Sequence, residues 1–273
     1  MRLPYEWATA SVSVNGVTLQ CYRTGDGPPL VMAHGFFENG PCMERLANDL
    51  ADEYEVILYD ARGHGRSAAP DTGYTIDDRV ADLVGVVEAL SLENPILFGH
   101  SMGGSTAAWA AARHPTLPRA LVLEDPANLR GCHARPTAER VRLVRDQLEA
   151  WEGQSVKEIA SDYEQYGPNL ARNLAIANSE CRPPIVKIAR AGYPQTADAF
   201  PAITCPTLVI KSDAEPDSRA GDLTAAEQLA LGRLVHIPNA GHAVFRDQYE
   251  AAYTELKTFL TRVETRTHQS ETP

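Results

Sequence analysis

The chain has 273 residues, enough for one sizeable hydrophobic core with an inserted element. Twenty-five Lys and Arg against 36 Asp and Glu leave a formal charge of −11 with no basic stripe, which argues against nucleic acid or an anionic membrane as partner. Five cysteines (Cys21, Cys42, Cys132, Cys181, Cys205) show no paired spacing and no C-x-x-C, so neither a disulfide framework nor a metal site is expected. No apolar run approaches transmembrane length, and the segment 1–10 carries Pro4 and Glu6 where a signal peptide needs an apolar core; the reading is a cytoplasmic protein.

In chain order, Ser11 to Val14 and Val17 to Tyr22 alternate around Asn15-Gly16, which predicts a β-hairpin with a type I′ turn. Leu30-Val31-Met32-Ala33 reads as a strand buried on both faces and runs into the loop His34-Gly35-Phe36-Phe37. Met43, Leu46, Ala47 and Leu50 have helical spacing, and Glu55 to Tyr59 reads as a strand. The following loop, Asp60 to Ser67, holds two glycines around His64, which has no acid at a useful spacing and is read as structural or solvent-facing. Ile76, Val80, Leu83, Val84, Val87 and Leu90 predict a helix opened by a capping box of Thr75 and Asp78.

The strand Pro95 to Phe98 then meets Gly99-His100-Ser101-Met102-Gly103 and the alanine-rich helix Gly104 to Arg113. G-x-S-x-G at a strand-to-helix turn is the nucleophile elbow, where a strained backbone pushes the serine hydroxyl out of the sheet and only small neighbours leave room for strand and helix to close. His100, beside that serine, is read as structural. The strand Ala120 to Leu123 ends in Glu124-Asp125-Pro126-Ala127, a carboxylate at a strand end near the elbow, and Pro126 is expected to restrict Asp125 to extended backbone. Between 128 and 200 the strand pattern stops. Val141, Val144, Leu148 and Trp151 mark one helix, and Val156, Ile159, Ala160 and Tyr163 another with Ser155 and Glu158 as its capping box. Strands return at Pro206 to Lys211 and Leu234 to Ile237 with a helix near Asp222 to Leu231, then His242 in a loop and a last helix carrying Tyr249, Tyr253, Leu256, Phe259, Leu260 and Val263 on one face. The expected organisation is a core of 1–127 and 201–264, a helical cap of 128–200 over the site, and a disordered polar tail of 265–273.

H-G-F at 34–36, D-A-R-G-H-G-R-S at 60–67, G-H-S-M-G-G at 99–104 and G-H at 241–242 resemble the motifs of the α/β-hydrolase family in order and spacing. The resemblance covers the whole chain, more weakly in the cap. It implies a mostly parallel eight-stranded sheet with helices on both faces, Ser101 as nucleophile, His242 as general base, and the backbone N–H groups of Phe36 and Met102 as the oxyanion hole, with His34 and Gly35 shaping that loop. The chemistry agrees, since a serine hydroxyl is a weak nucleophile until an imidazole accepts its proton. No cofactor or metal is implied. For the triad acid the family's usual G-x-x-D segment reads S-D-A-E here, with Glu215 at the matching position and Asp213 two residues earlier. In some members, the zearalenone lactone hydrolases among them, the acid follows the preceding strand, the place of Asp125. The nucleophile-to-acid spacing and the stretch Ala189 to Pro194 look like that group. Asp125 is therefore placed first, with Glu215 and Asp213 as alternatives.

The activity implied is hydrolysis of a carboxylic ester or lactone. A carbon–carbon bond hydrolase and a cofactor-free haloperoxidase or perhydrolase share the same triad, and a non-catalytic ligand receptor could share the fold. Phe36, Phe37, Trp151, Tyr163 and Tyr193 suggest a pocket for an apolar substrate, and the sequence leaves a homodimer open.

Overall fold

A computed structural model describes residues 7–131 and 135–270; Cys132, the first six residues and the last three of the expected tail lie outside it. The chain opens with the hairpin β1 (Ala8–Val14) and β2 (Val17–Thr24). Asn15 and Gly16 both have positive φ, +46° and +71°, the backbone a type I′ turn needs. There follow β3 (Pro29–Ala33), α1 (Glu44–Leu50), β4 (Glu55–Tyr59), α2 (Ile76–Ala89), β5 (Ile96–His100), α3 (Met102–Arg113) and β6 (Ala120–Glu124). These alternate as expected, and Thr75 and Asp78 form the capping box of α2.

The eight strands form one sheet in the order β1-β2-β4-β3-β5-β6-β7-β8, antiparallel at β1/β2 and β2/β4 and parallel elsewhere. The period-two geometry of a strand divides its side chains between two faces. Leu30 and Met32 of β3, with Ile96, Phe98 and Val122, pack beneath α1 and the last helix, whereas Val31, Ala33, Leu97, Leu121 and Leu123 pack beneath α2 and α3. The middle of every central strand is therefore apolar on both faces, as a sheet covered on both sides requires, and the polar residues Glu55, His100, Glu124 and Lys211 stand at strand ends.

Between β6 and β7 (Thr207–Lys211) every regular element among the described residues is helical: α4 (Thr137–Trp151), α5 (Val156–Ala160), α6 (Pro168–Ser179) and α7 (Val186–Ala191), with 3-10 turns and loops between them. Ser155 and Glu158 cap α5 reciprocally. Next come α8 (Pro216–Ala226), β8 (Gly232–His236), the single turn α9 (Val244–Asp247) and α10 (Tyr249–Ser270).

Two boundaries differ most from the sequence reading. Helix α8 starts at Pro216 rather than near Asp222, because proline at the first helical position fixes the right φ while the first turn carries no apolar residue to announce it. Helix α10 continues to Ser270 where a tail without structure was expected from 265, since backbone hydrogen bonds propagate past the packed face once the helix is nucleated. Cys21, Cys42, Cys181 and Cys205 are buried free thiols. Among the described residues no helix is long and apolar enough to cross a membrane.

The loop between β4 and α2 is anchored by charge. Arg62 grips Asp82 of α2 with two nitrogens, Nε donating to Oδ2 at 2.6 Å and Nη2 to Oδ1, and both side chains are almost fully buried. Removing one partner of such a pair strands the other charge out of water. Asp82→Asn should therefore lower unfolding stability by about 3–5 kcal/mol in chemical denaturation. An unchanged midpoint would show that the pair does not anchor the loop.

Candidate active site

At the end of β5 the chain turns into α3 through Ser101, whose φ of +49° and ψ of −108° are unfavourable for a residue with a side chain. A Cβ on Gly99 would strike the Gly103 carbonyl, and one on Gly103 the Ala33 carbonyl, so both glycines of the motif are needed for strand and helix to close on the serine. The turn is pinned by Ser101 N–H donating to Glu124 O (2.9 Å), Ala127 N–H to Ser101 O (2.9 Å) and Gly103 N–H to His34 O (3.1 Å).

These bonds bring together residues far apart in sequence. His242 Nδ1 lies 2.6 Å from Asp125 Oδ2, and its Nε2 lies 2.8 Å from Ser101 Oγ. A carboxylate can only accept, so Nδ1 carries the proton, Nε2 is a lone-pair acceptor, and the serine hydroxyl donates to it. Burial pushes the Asp125 carboxyl up, but its bonds to His242 and to the Lys211 ammonium outweigh that and hold it at about 2. Lys211, at the end of β7, grips the other carboxylate oxygen. The sequence reading missed this lysine; its only signal was a cation ending an apolar strand.

Asp125 is not in extended backbone. Its φ is +36°, so Pro126 does not hold it as expected; the positive φ is of the kind Asp tolerates better than most residues, and the Asp125 N–H still donates to Ile210 O at 2.8 Å. Neither alternative acid reaches His242. Asp213 accepts from the N–H groups of Asn239 (2.7 Å) and Ala214 (2.8 Å) and from Arg219, which fixes the loop leading to His242. Glu215 stands exposed at the N-cap of α8 without a side-chain capping bond.

His34 Nε2 accepts from the Ala61 N–H (2.9 Å), so its Nδ1–H donates to Gly35 O (2.7 Å); this neutral ring ties the loop after β3 to the loop after β4. His64 is wholly buried, edge-on to His34 at 5.2 Å, and burial followed by the neighbouring His34 lowers its pKa to about 3. Phe36 and Met102 lie on the two loops joined by the Gly103–His34 bond. Met102 begins α3, where an N–H has no carbonyl in the preceding turn of the helix to bond and the helix dipole favours negative charge.

Beneath these loops is a charged cluster that the sequence did not announce. Glu38 accepts the Gly35 N–H (2.9 Å), pairs with Arg246 (2.6 Å) and meets His100 Nδ1 (3.2 Å), while His100 Nε2 donates to the His242 carbonyl (3.2 Å). Both ring nitrogens of His100 thus face acceptors, which fits an imidazolium. Burial pulls its pKa down, but Glu38 and then Glu124 raise it to about 9. His100 thus joins the loop of His242, through its carbonyl, to the loop of Phe36, through Glu38.

A cleft of about 580 Å³ opens beside the half-exposed His242 and has Asp125 and His242, though not Ser101, in its wall. Of the five aromatic residues expected to line the pocket, Tyr193 lines this cleft. It is set there by Asn128 Nδ2 donating to its carbonyl at 2.8 Å. Trp151 of the helical insertion packs with Ile159 and Ala175, and Tyr163 and Phe37, the latter from the loop after β3, pack against this cluster; Phe36 stands edge-on to Phe37 at 4.6 Å. A second cavity of about 440 Å³, on the far side of His100, has Glu38, Glu124 and Arg246 in its wall but neither Ser101 nor His242.

Residues 30–256 match the profile of the alpha/beta hydrolase family. Over 114 residues, 42% of this chain, the sequence is 37% identical to the 2-(acetamidomethylene)succinate hydrolase of Mesorhizobium japonicum, and the match spans 41% of that protein; the chain spans about two-fifths of the length of such curated relatives. Similarity to AB hydrolase superfamily protein YisY of Bacillus subtilis is lower, 28% over 259 residues, and covers 89% of this chain and 95% of that one. The crystal structure of E-2-(acetamidomethylene)succinate hydrolase has a TM-score of 0.77 over 94% of this chain and 100% of its own, at 22% identity, a likeness of fold. With the family profile running from β3 into α10, the chain belongs to the alpha/beta hydrolase family.

Proposed function

We propose that this hydrolase cleaves a carboxylic ester or lactone through an acyl-enzyme on Ser101. The observation that carries the reading is the unbroken chain Asp125–His242–Ser101, with 2.6 and 2.8 Å between heavy atoms. Ser101 Oγ attacks the carbonyl carbon as its proton passes to His242 Nε2. The new negative charge on the carbonyl oxygen falls to the N–H groups of Phe36 and Met102, and one such donor is worth about 3 kcal/mol of transition-state stabilisation. The imidazolium is stabilised by Asp125 and then gives its proton to the leaving oxygen. A water, deprotonated by the same Nε2, attacks the acyl carbon, and the serine leaves with the proton returned. Lys211 keeps Asp125 ionised throughout. The cluster of Glu38, His100 and Arg246 fixes the distance between the base and the oxyanion loop.

Ser101→Ala should leave the fold intact and remove nearly all turnover of short p-nitrophenyl esters, and a serine-directed phosphonate should label Ser101 alone. Labelling at another serine would sink the assignment. Asp125→Asn should lower kcat by about 10³-fold or more with KM little changed, whereas Asp213→Asn and Glu215→Gln should lose no more than about tenfold. Steady-state kinetics of the three variants decides, and the reverse order of losses would move the acid to the end of β7.

The His100 cluster also sets a pH dependence of stability. Because the folded-state pKa of His100 is raised to about 9, its contribution is complete below about pH 6.5 and is lost as pH rises through 9. Wild-type unfolding stability should decline across that window by up to about 1.4 kcal/mol per pH unit, and the decline should flatten in His100→Gln. Parallel profiles for the two proteins would show that His100 is not charged in the folded state.

A further inference from the structure

The protein carries a formal charge of −11, yet the cleft beside His242 is lined by Arg130, Arg135, Arg140 and Lys211 against Asp125 and Asp222. Three of these cations have carboxylate partners: Lys211 on Asp125, Arg130 on Asp222 at 2.6 Å, and Arg135 on Glu139 at 3.2 Å. Arg140 has none among the described residues. Its guanidinium is instead held by neutral oxygens, Nε donating to Ala189 O (3.0 Å), Nη1 to Arg135 O and Nη2 to Thr137 Oγ1 (3.1 Å). The group is thus fixed in orientation while its charge is not neutralised. Gly192, with φ +76°, faces Nη2 and leaves it uncovered; a Cβ there would stand 3.0 Å away.

A second guanidinium lies across Tyr193. Arg79 of α2 is buried, its Cζ is 5.2 Å from the Tyr193 ring centroid, its Nη1 donates to Tyr74 O at 3.1 Å, and its Nη2 has no hydrogen-bond partner. It forms no ion pair with a carboxylate among the described residues. Burial pushes the Tyr193 phenol up to about 12 while Arg79 and Arg140 both pull it down, which places the ring in the field of both cations. A neutral substrate would leave this local excess of positive charge as it is, whereas an anion would meet a preorganised, planar donor suited to a carboxylate.

We infer that the cleft is a carboxylate subsite: the substrate carries a free carboxylate besides the bond broken at Ser101, and Arg140 binds it. The inference rests on the proposed hydrolysis at Ser101 and replaces the apolar substrate expected from the aromatic residues, of which Tyr193 is the one that lines the cleft.

The test compares mono-p-nitrophenyl glutarate, which ends in a carboxylate, with p-nitrophenyl pentanoate, which has the same chain length and ends in a methyl group. Wild-type kcat/KM should favour the glutarate ester by about tenfold or more, which is the scale of one charge-assisted bidentate contact. That ratio should fall at least tenfold in Arg140→Gln, recover in part in Arg140→Lys, and shrink as salt is raised. Should Arg140→Gln fail to fold, calorimetry on Ser101→Ala supplies the second measurement, with glutarate binding at least tenfold tighter than its dimethyl ester. Equal turnover of the two esters, or a preference unchanged in Arg140→Gln, overturns the subsite, as does equal binding of glutarate and the diester. Glutarate binding without turnover of either ester upholds the subsite and removes the hydrolase reading; turnover without preference does the opposite.

Discussion

The left-handed turn at Ser101 is the constraint on which the other loops depend. Holding a serine at φ +49° costs free energy, and it persists because three main-chain bonds and the close packing of Gly99 and Gly103 leave the backbone no other course. Those same bonds fix the neighbours. The Glu124 carbonyl taken by Ser101 sets the end of β6, hence Asp125; the Ala127 N–H sets the loop after it; the His34 carbonyl taken by Gly103 sets the loop of Phe36. One strained residue thereby determines where an acid, a hydroxyl and a candidate anion-binding loop stand relative to one another.

The imidazole of His242 comes from elsewhere in the chain, and its position is settled by charge. His242 hangs on an exposed loop between β8 and α9 and is held from two directions: Asp125 takes its Nδ1–H, and His100 donates to its carbonyl oxygen. Both anchors are buried side chains with opposite charges beside them, Lys211 for Asp125 and Glu38 for His100. A buried charge without such a partner would neutralise or unfold its surroundings. The arrangement thus combines an exposed, reachable imidazole with supports that do not move. Arg140 and Arg79 depart from this pattern, since neither has a carboxylate partner among the described residues, and that departure singles out the cleft.

Most of the sheet was legible because its signals are local and periodic: the Asn-Gly turn, the apolar runs of β3, β5 and β6, and the capping boxes at Thr75 and Ser155 are each readable within a dozen residues. The serine and its histidine were legible through a five-residue turn motif and a resemblance. The choice among Asp125, Asp213 and Glu215 was not closed, because it depends on which strand end faces His242 across the sheet, a relation without a local signature. The support offered for Asp125 was in part mistaken, since Pro126 does not keep it extended. Lys211, Glu38 with Arg246, and the pair Arg79 and Arg140 escaped for the same reason: each matters through a partner far away in sequence, and each alone reads as an ordinary charged residue. The aromatic residues misled in the other direction, because a tyrosine or tryptophan in a helical insertion serves its own small core as readily as a pocket.

The central claim is that Ser101, His242 and Asp125 act as one catalytic unit, and non-additivity tests that most directly. In a double-mutant cycle on ester hydrolysis, the Ser101→Ala/Asp125→Asn protein should be no slower than Ser101→Ala alone, because an acid that works only by orienting the base has nothing to contribute once the nucleophile is gone. Losses that multiply would mean that Asp125 acts independently of Ser101 and would contradict the account.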